Sequence, residues 1–398
     1  MENRNKRFAQ YIPMKETLEA LLKDLIVWQE CTKSVDDASA HDLNDVSDGS
    51  VYKSNSLFME SGISLKLILY QDAFEIVNPL GSAKKKYKIL RVYFTLASFD
   101  PFYRAIVENV QLLLLCREVD FKYFGHINVF STMLSDIKEL ETNGLVISGH
   151  VVKATVFCIA GDNLGSHNIG GFTEDFSAST YFCRYCLVTR SELHDFQKCA
   201  PPRTVQKYKE AVEEVQAGAL TESRGLKFDS LFNSLTYFHV CQPGLPPCIV
   251  HDVFEGIVAY DLAIYIKYFV KVKKFFTYSQ LNRRIRQFSY QGSDAASSPS
   301  EVVEKRVKIG GQATENWSLL RLLPVIIGEK ITDTDDPVWQ LTVQLKELVE
   351  FICAPRISLS LKMFCLMFSL WSIWRQEKRC FLIINSIQRT ITLSTIQL

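Results

Sequence analysis

Residues 65–70 read LKLILY, a short apolar run with the length and composition of a buried β-strand. Two similar runs follow, KILRVYFTL at 88–96 and NVQLLLLCR at 109–117. Residues 121–140 then carry apolar side chains at helical spacing, and a fourth apolar run, VVKATVFCIA, occupies 151–160. The order of these segments predicts an α/β fold with three strands, one helix and one further strand. Near-continuous apolar strands indicate a sheet that is covered on both faces.

The composition is that of an ordinary globular protein. The 398 residues are 47% hydrophobic and 22% charged, and the formal net charge is +1. This balance excludes a mostly disordered chain and argues against nucleic-acid binding over the whole surface. Eleven cysteines and a polar N-terminal segment favour reduced thiols or metal ligands inside the cell over a disulfide framework. The sequence contains no Walker-type loop, dinucleotide-binding glycine pattern or GxSxG motif.

Shifts in composition divide the chain into five segments. We expect an N-terminal helix and polar linker (1–56), the strand-rich core (57–165), a Cys/His-containing segment (166–256), a helical region (257–358) and a divergent apolar tail (359–398). Apolar spacing predicts helices over 14–28, 248–272, 314–327 and 338–352. A polar, acid-rich composition without periodicity predicts a linker or loop over 33–55, and low complexity predicts a loop over 291–300.

One apolar stretch near the C-terminus has the length of a short membrane span. Residues 357–374 contain a single charge, Lys362. A buried or misfolded terminal helix explains this stretch at least as well, and we do not expect a membrane partner.

Two aspartates follow predicted strand ends. Asp72 comes directly after the first strand and Asp162 directly after the fourth. In this arrangement the first and fourth strands can lie side by side, which would place both carboxylates at one edge of the sheet. Carboxylate oxygens suit Mg²⁺, and two such ions can clamp the attacking and leaving oxygens of a phosphodiester displacement. The alternatives are a strand-end turn acid for Asp72 and a Gly-Asp-Asn turn for Asp162.

Two cysteine-containing pairs have the spacing of zinc ligands. Cys183 and Cys186 form a CxxC, and Cys248 and His251 form a CxxH. Tetrahedral Zn²⁺ takes four nitrogen or sulfur ligands, so the two pairs predict one structural zinc ion, with Glu255 orienting the histidine ring. Buried free thiols and a helix-capping histidine are the alternative. Other candidate ligands with less regular spacing are His194, Cys199, His239 and Cys241.

Longer blocks surround these residues: YQDAFEIVNPLG at 70–81, GDNLGSHNIGGFTEDFSASTYFCRYC at 161–186, PPCIVHDVFEG at 246–256 and GGQATENWSLLRLLP at 310–324. In this order they resemble blocks of the DDE transposases of the CACTA/EnSpm type, especially the animal transposon-derived relatives. The matching blocks are the two that carry the first and second aspartates, the Cys/Asp-x-x-His block and the downstream helical region. The resemblance covers about residues 58–358.

The resemblance implies a ribonuclease-H-like core with a helical insertion, to which the Cys/His spacing adds a zinc-knuckle-like segment. It also implies metal-dependent cutting and joining of DNA at transposon ends. Asp72 and Asp162 are then catalytic ligands of two Mg²⁺ ions, no small-molecule cofactor is needed, and the protein acts inside the cell, in the nucleus. The resemblance does not decide whether the protein forms an oligomer.

Family members carry a DNA-binding region upstream and a third catalytic acid on a later helix, and this chain departs from them after residue 358. Glu255 and Glu315 are the candidates for the third acid within the resemblance, with a structural role as the alternative for each. We therefore expect a truncated transposase-derived protein that does not catalyse strand transfer by itself. The alternative function is a catalytically inactive DNA- or protein-binding module stabilised by zinc.

Overall fold

The computed structural model describes residues 7–33, 42–60, 62–75, 87–192, 200–218 and 220–358. The strands of this part of the chain are β1 (Ala9–Tyr11), β2 (Asp42–Leu43), β3 (Ile63–Glu75), β4 (Lys88–Leu96), β5 (Gln111–Arg117), β6 (Leu145–Ile147), β7 (His150–Ala160) and β8 (Ile357–Ser358).

The α-helices of the same residues are α1 (Met14–Leu22), α2 (Leu25–Thr32), α3 (Ser50–Lys53), α4 (Ser56–Met59), α5 (Pro101–Arg104), α6 (Glu118–Thr142), α7 (Asn163–Gly170), α8 (Val205–Gln216), α9 (Val258–Lys271), α10 (Tyr278–Gln287), α11 (Ser293–Ala296), α12 (Ala313–Ile327) and α13 (Pro337–Ile352). Short 3₁₀ turns lie at Val46–Asp48, Val107–Asn109, Leu231–Ser234 and Gly328–Lys330, and π-helical segments at Val240–Gly244 and Ile249–Ile257.

The described residues form two compact units. The first unit contains the described residues up to Pro247, apart from 42–44. The second contains 42–44 and 248–358. The five-segment division made from the sequence stays a prediction.

The first unit is built on a mixed sheet of six described strands in the order β1-β5-β4-β3-β7-β6. Strands β3, β4 and β5 are antiparallel neighbours, and β7 lies parallel to β3 on its other side. A parallel neighbour requires a crossover connection, and α6 lies in the chain between β5 and β7. The predicted α/β class is confirmed. The four predicted strands and the predicted helix correspond to β3, β4, β5, β7 and α6, with α5 between β4 and β5 and the short strand β6 between α6 and β7.

The core of the first unit lies between the sheet and α6. Alternate residues of β3, among them Leu65, Leu67 and Leu69, are fully buried. They belong to the same hydrophobic cluster as Met133 and Ile137 of α6. Removing such a side chain from water contributes about 1.5–3 kcal/mol, so this cluster supplies much of the driving force for folding the unit.

One buried carboxylate fastens α6 to the rest of the first unit. Glu141 is 2% exposed and accepts hydrogen bonds from Thr155 Oγ1 of β7 at 2.5 Å and from Thr236 N at 2.8 Å. Each carboxylate oxygen therefore has a donor, which offsets the cost of burying the group.

The second unit is mainly helical, as the sequence predicted for this region. Helices α9, α12 and α13 contact one another around a cluster that includes Leu262, Leu323 and Leu341. The same unit contains the two-stranded pair of β2 and β8, in which Asp42 is opposite Ser358. Arg356 Nε donates to Asp42 Oδ2 at 2.9 Å, across a sequence separation of 314 residues.

Several predicted elements have different bounds in the structure. The predicted helix over 14–28 is two helices: α1 ends at Leu22, and Asp24 caps α2 by accepting from the amides of Ile26 and Val27. The predicted helix over 248–272 begins with the π-helical segment and continues as α9. The predicted loop over 291–300 contains α11, and part of the predicted linker over 33–55 forms β2, a 3₁₀ turn and α3.

Several features of the sequence analysis lie outside the described residues. They include the apolar tail (359–398), His194 and Cys199. Of the apolar stretch 357–374, the structure describes only 357–358, which form β8. In the described ranges, no helix combines the length and the apolarity that crossing a membrane requires.

Candidate functional site

Asp72 lies inside strand β3 and not after it. The strand continues to Glu75 because β4 pairs with residues 67–75, and Asp72 is directly opposite Arg91. The apolar run ends at residue 70, so the sequence placed the strand end too early. The last part of the strand is held by its pairing with β4, which runs from Gln71 opposite Val92 to Glu75 opposite Lys88.

Asp162 is the N-cap of α7. Its Oδ1 accepts a hydrogen bond from Gly165 N at 2.6 Å, which fixes the carboxylate at the positive end of the helix. Asp162 comes just after β7, as predicted. The hydrogen bond of the cap gives its carboxylate a defined orientation.

The two aspartates occupy matching positions beside neighbouring parallel strands. The last paired residues of β3 and β7 are Tyr70 and Ala160, and Asp72 and Asp162 each come two residues later. The backbones remain close beyond that pair, since a Cβ built on Gly161 would lie 3.2 Å from the Gln71 carbonyl oxygen. Neighbouring strands are about 4.8 Å apart, a spacing at which two carboxylates can share a cation.

Arg91 is bound to the first of these aspartates. Its Nη2 donates to Asp72 Oδ2 at 2.7 Å. The guanidinium carbon lies 4.6 Å from the ring centre of Phe74 and 5.4 Å from that of Tyr93. The sequence analysis did not identify Arg91, because only the strand register places it opposite Asp72.

Arg184, between the two cysteines of the CxxC, reaches the residue next to the second aspartate. It is 7% exposed, and its Nη1 donates to Asn163 Oδ1 at 2.6 Å. Its Nη2 donates to the Pro246 carbonyl at 3.2 Å, and Tyr185 Oη donates to the Leu245 carbonyl at 3.0 Å. The CxxC segment is thereby attached to the turn that carries Asp162.

A buried histidine lies on α7, the helix that Asp162 caps. His167 of α7 is 2% exposed, and its Nδ1 is 2.6 Å from the Thr173 carbonyl oxygen. Burial lowers the pKa of His167 to about 4. The ring is therefore neutral at pH 7 and donates its Nδ1–H to that carbonyl, a structural role within the first unit.

The two cysteines of the CxxC lie together in the first unit. Tyr185 N donates to Cys183 Sγ at 3.3 Å, and the Cys183 and Cys186 thiols are close enough to interact. Burial raises the pKa of the Cys186 thiol, and the adjacent Cys183 adds to the shift. The Cys186 thiol is therefore protonated at neutral pH, and metal binding there would release its proton.

The CxxH pair also converges, and it belongs to the second unit. Cys248 Sγ is 3.0 Å from His251 Nδ1 at the start of the π-helical segment. Cys248 N donates to Asp252 Oδ2 at 3.0 Å, which fixes this first turn. The structure thus brings together the two members of each predicted ligand pair, with one pair in each unit.

The two candidates for the third acid belong to the second unit. Glu255 is a half-buried residue of the π-helical segment. Glu315 lies in the first turn of α12, where its Oε2 accepts from Ser300 Oγ at 2.5 Å. Ser300 thus gives the Glu315 carboxylate a structural hydrogen bond.

The other candidate zinc ligands that the structure describes are neutral. In the first unit, Cys241 N donates to His239 Nδ1 at 3.0 Å. Burial lowers the pKa of His239 to about 4 and raises that of Cys241 to about 12. Within the described part of each unit, no group of three or more His, Cys, Asp and Glu side chains is arranged to hold a metal ion.

Comparison with known proteins adds no relative to this picture. No protein-family model matches the sequence, and a search of curated proteins finds no significant match.

Proposed function

We propose that the chain is a transposase-derived protein whose first unit is a ribonuclease-H-like core. The ancestral activity is metal-dependent cleavage and joining of DNA, with Asp72 and Asp162 as metal ligands. The observation that carries the proposal is the matching position of these aspartates beside the parallel neighbours β3 and β7. DNA is the partner that this activity requires, and the nucleus is the compartment that goes with it.

The donor atoms of the two aspartates suit a hard divalent cation. One oxygen of each carboxylate is engaged, Asp72 Oδ2 by Arg91 and Asp162 Oδ1 by Gly165 N. The cation would polarise a phosphodiester and lower the pKa of an attacking water. The fold positions both carboxylates: Asp162 is held as the N-cap of α7, and Asp72 is held in the antiparallel β3–β4 ladder.

The first prediction concerns the cation. We expect the protein to bind Mn²⁺, which serves as a probe for Mg²⁺. The double variant Asp72→Ala, Asp162→Ala should bind Mn²⁺ at least tenfold more weakly, because about tenfold is the smallest loss of metal affinity expected when groups that support a metal site are removed. Isothermal titration calorimetry measures the affinity. Glu139→Gln, which removes an exposed carboxylate from the same unit, is the matched control and should bind as the parent does. Equal affinity in the double variant and the parent would refute the assignment.

A second candidate function is a catalytically inactive DNA- or protein-binding module stabilised by zinc. The 3.0 Å contact between Cys248 Sγ and His251 Nδ1 and the adjacent Cys183 and Cys186 thiols favour it. Each pair presents soft ligands at the short spacing that a zinc knuckle uses. This proposal needs no third acid.

The second prediction follows from these ligands. We expect about one zinc ion per chain in purified protein, and less in the variant Cys183→Ser, Cys186→Ser, because thiolate ligands are lost. Elemental analysis of the desalted protein measures the metal content. Cys353→Ser removes a half-buried thiol outside both pairs and should leave the zinc content unchanged. Zinc-free parent protein, or an undiminished content in the double variant, contradicts the site.

A further inference from the structure

Arg91 is held in a fixed position above the β3–β4 pair. In an antiparallel ladder, residues opposite each other and their diagonal neighbours share one face of the sheet. Asp72 is opposite Arg91, and the ring partners Phe74 and Tyr93 are the diagonal neighbours on that face. Arg91 Nε is buried and has no hydrogen-bond partner among the described residues, while the side chain as a whole is 31% exposed. Contact with the rings and with Asp72 therefore fixes this side chain.

The charge on Arg91 has a specific role beside two carboxylates. Two ionised carboxylates on neighbouring strands repel each other. The Arg91 guanidinium neutralises one of them through its 2.7 Å contact with Asp72 Oδ2. A divalent cation at the same carboxylates would supply the same neutralisation. Because both are positive and both use Asp72, the guanidinium and the cation compete for this carboxylate.

We propose that Arg91 is a built-in counter-ion of the metal site. It occupies Asp72 in the metal-free protein and yields the carboxylate when a divalent cation binds. This inference rests on the proposed function, since it concerns the same two aspartates. Arg91 is a positioning residue: it sets the cation concentration at which the site fills and holds Asp72 in one orientation until then.

A purely structural role for Arg91 predicts the opposite result. If Arg91 only held Asp72 in the orientation that a cation needs, its removal would weaken cation binding. If Arg91 competes with the cation, its removal strengthens binding. The sign of the change in affinity therefore separates the two roles, and a general loss of stability would not produce an increase.

The third prediction is that Arg91→Gln binds Mn²⁺ about fivefold more tightly than the parent. This is about the largest change in affinity that the loss of a partly exposed ion pair can produce. Calorimetric titration of the full chain measures the affinity. Arg91→Lys keeps the charge without the planar fork and should lie between the two. Arg117→Gln removes an arginine that pairs with Asp120 elsewhere on the sheet and should leave the affinity unchanged.

Three outcomes are distinguishable. Tighter binding in Arg91→Gln that disappears when Asp72→Asn is added supports the inference. Equal or weaker binding in Arg91→Gln, with measurable binding in the parent, overturns the role of Arg91 alone. Absence of Mn²⁺ binding in the parent, Arg91→Gln and Arg91→Lys overturns the proposed metal site and this inference with it. Circular dichroism spectra of each variant verify that the fold is intact.

Discussion

Replacement of Gly171 by alanine is expected to lower the free energy of unfolding of the first unit by about 3–4 kcal/mol. Gly171 follows α7 with φ of +73°, a left-handed conformation that costs a residue with a Cβ about 1–2 kcal/mol. A Cβ there would also lie 2.0 Å from the Phe228 carbonyl oxygen. Lys227 N donates to the Gly171 carbonyl at 2.8 Å, so the two backbones cannot separate without losing that bond.

A second glycine with positive φ serves as the control that separates the backbone strain from the steric clash of the added Cβ. Gly149, in the turn between β6 and β7, has φ of +82°, and no atom lies within 4 Å of a Cβ built on it. Gly149→Ala should therefore cost only about 1 kcal/mol, the strain alone. Hydrogen exchange of the β4 and β7 amides reports the opening free energy of the unit in each variant. Equal losses at the two positions would mean that the close approach of 171 and 228 has no energetic weight.

Replacement of Asp336 by alanine is expected to lower the free energy of unfolding of the second unit by about 3 kcal/mol. The Asp336 side chain is fully buried and caps α13 by accepting from Val338 N at 2.9 Å and Trp339 N at 3.1 Å. Tyr268 Oη of α9 donates to it at 3.1 Å, and Lys273 Nζ lies 2.8 Å away. Its loss leaves buried donors without an acceptor.

The control uses the second acid that contacts the same lysine. Asp333 is 49% exposed and lies 3.2 Å from Lys273 Nζ. Asp333→Ala should change the stability by less than about 0.5 kcal/mol, since solvent already screens that pair. Exchange of the α9 and α13 amides measures both variants. A similar loss in the two would show that the net charge near Lys273, and not the cap, provides the stabilisation.

Strand positions were predictable where apolar composition and pairing coincide. The run at 88–96 became β4 with the predicted bounds. The end of β3 was not predictable, because residues 71–75 are strand only through pairing with β4. Helix α7 was missed for a different reason: Asn163–Gly170 contains glycine, serine and asparagine, which are weak helix formers. The Asp162 cap and the burial of Ile169 stabilise it instead.

The candidate site shows the same division. The sequence indicated Asp72, Asp162 and the two zinc-type pairs, because residue type and local spacing carry that information. Arg91 and Arg184 were not indicated, since their roles depend on the register of β4 and on the path of the CxxC segment. Contacts through space between distant residues leave no periodic pattern in the sequence.

The pairing of β2 with β8 has a consequence for the time course of synthesis. Asp42 must wait for Arg356, which is made 314 residues later. At about 5–20 residues per second, the ribosome needs roughly 15–60 s to reach it. During that interval the residues of the first unit that lie between the two strands are already available to fold. The second unit can complete its folding only after almost the whole described chain has been made. Among the described strands, β2 therefore has to remain unpaired the longest, until β8 has been synthesised.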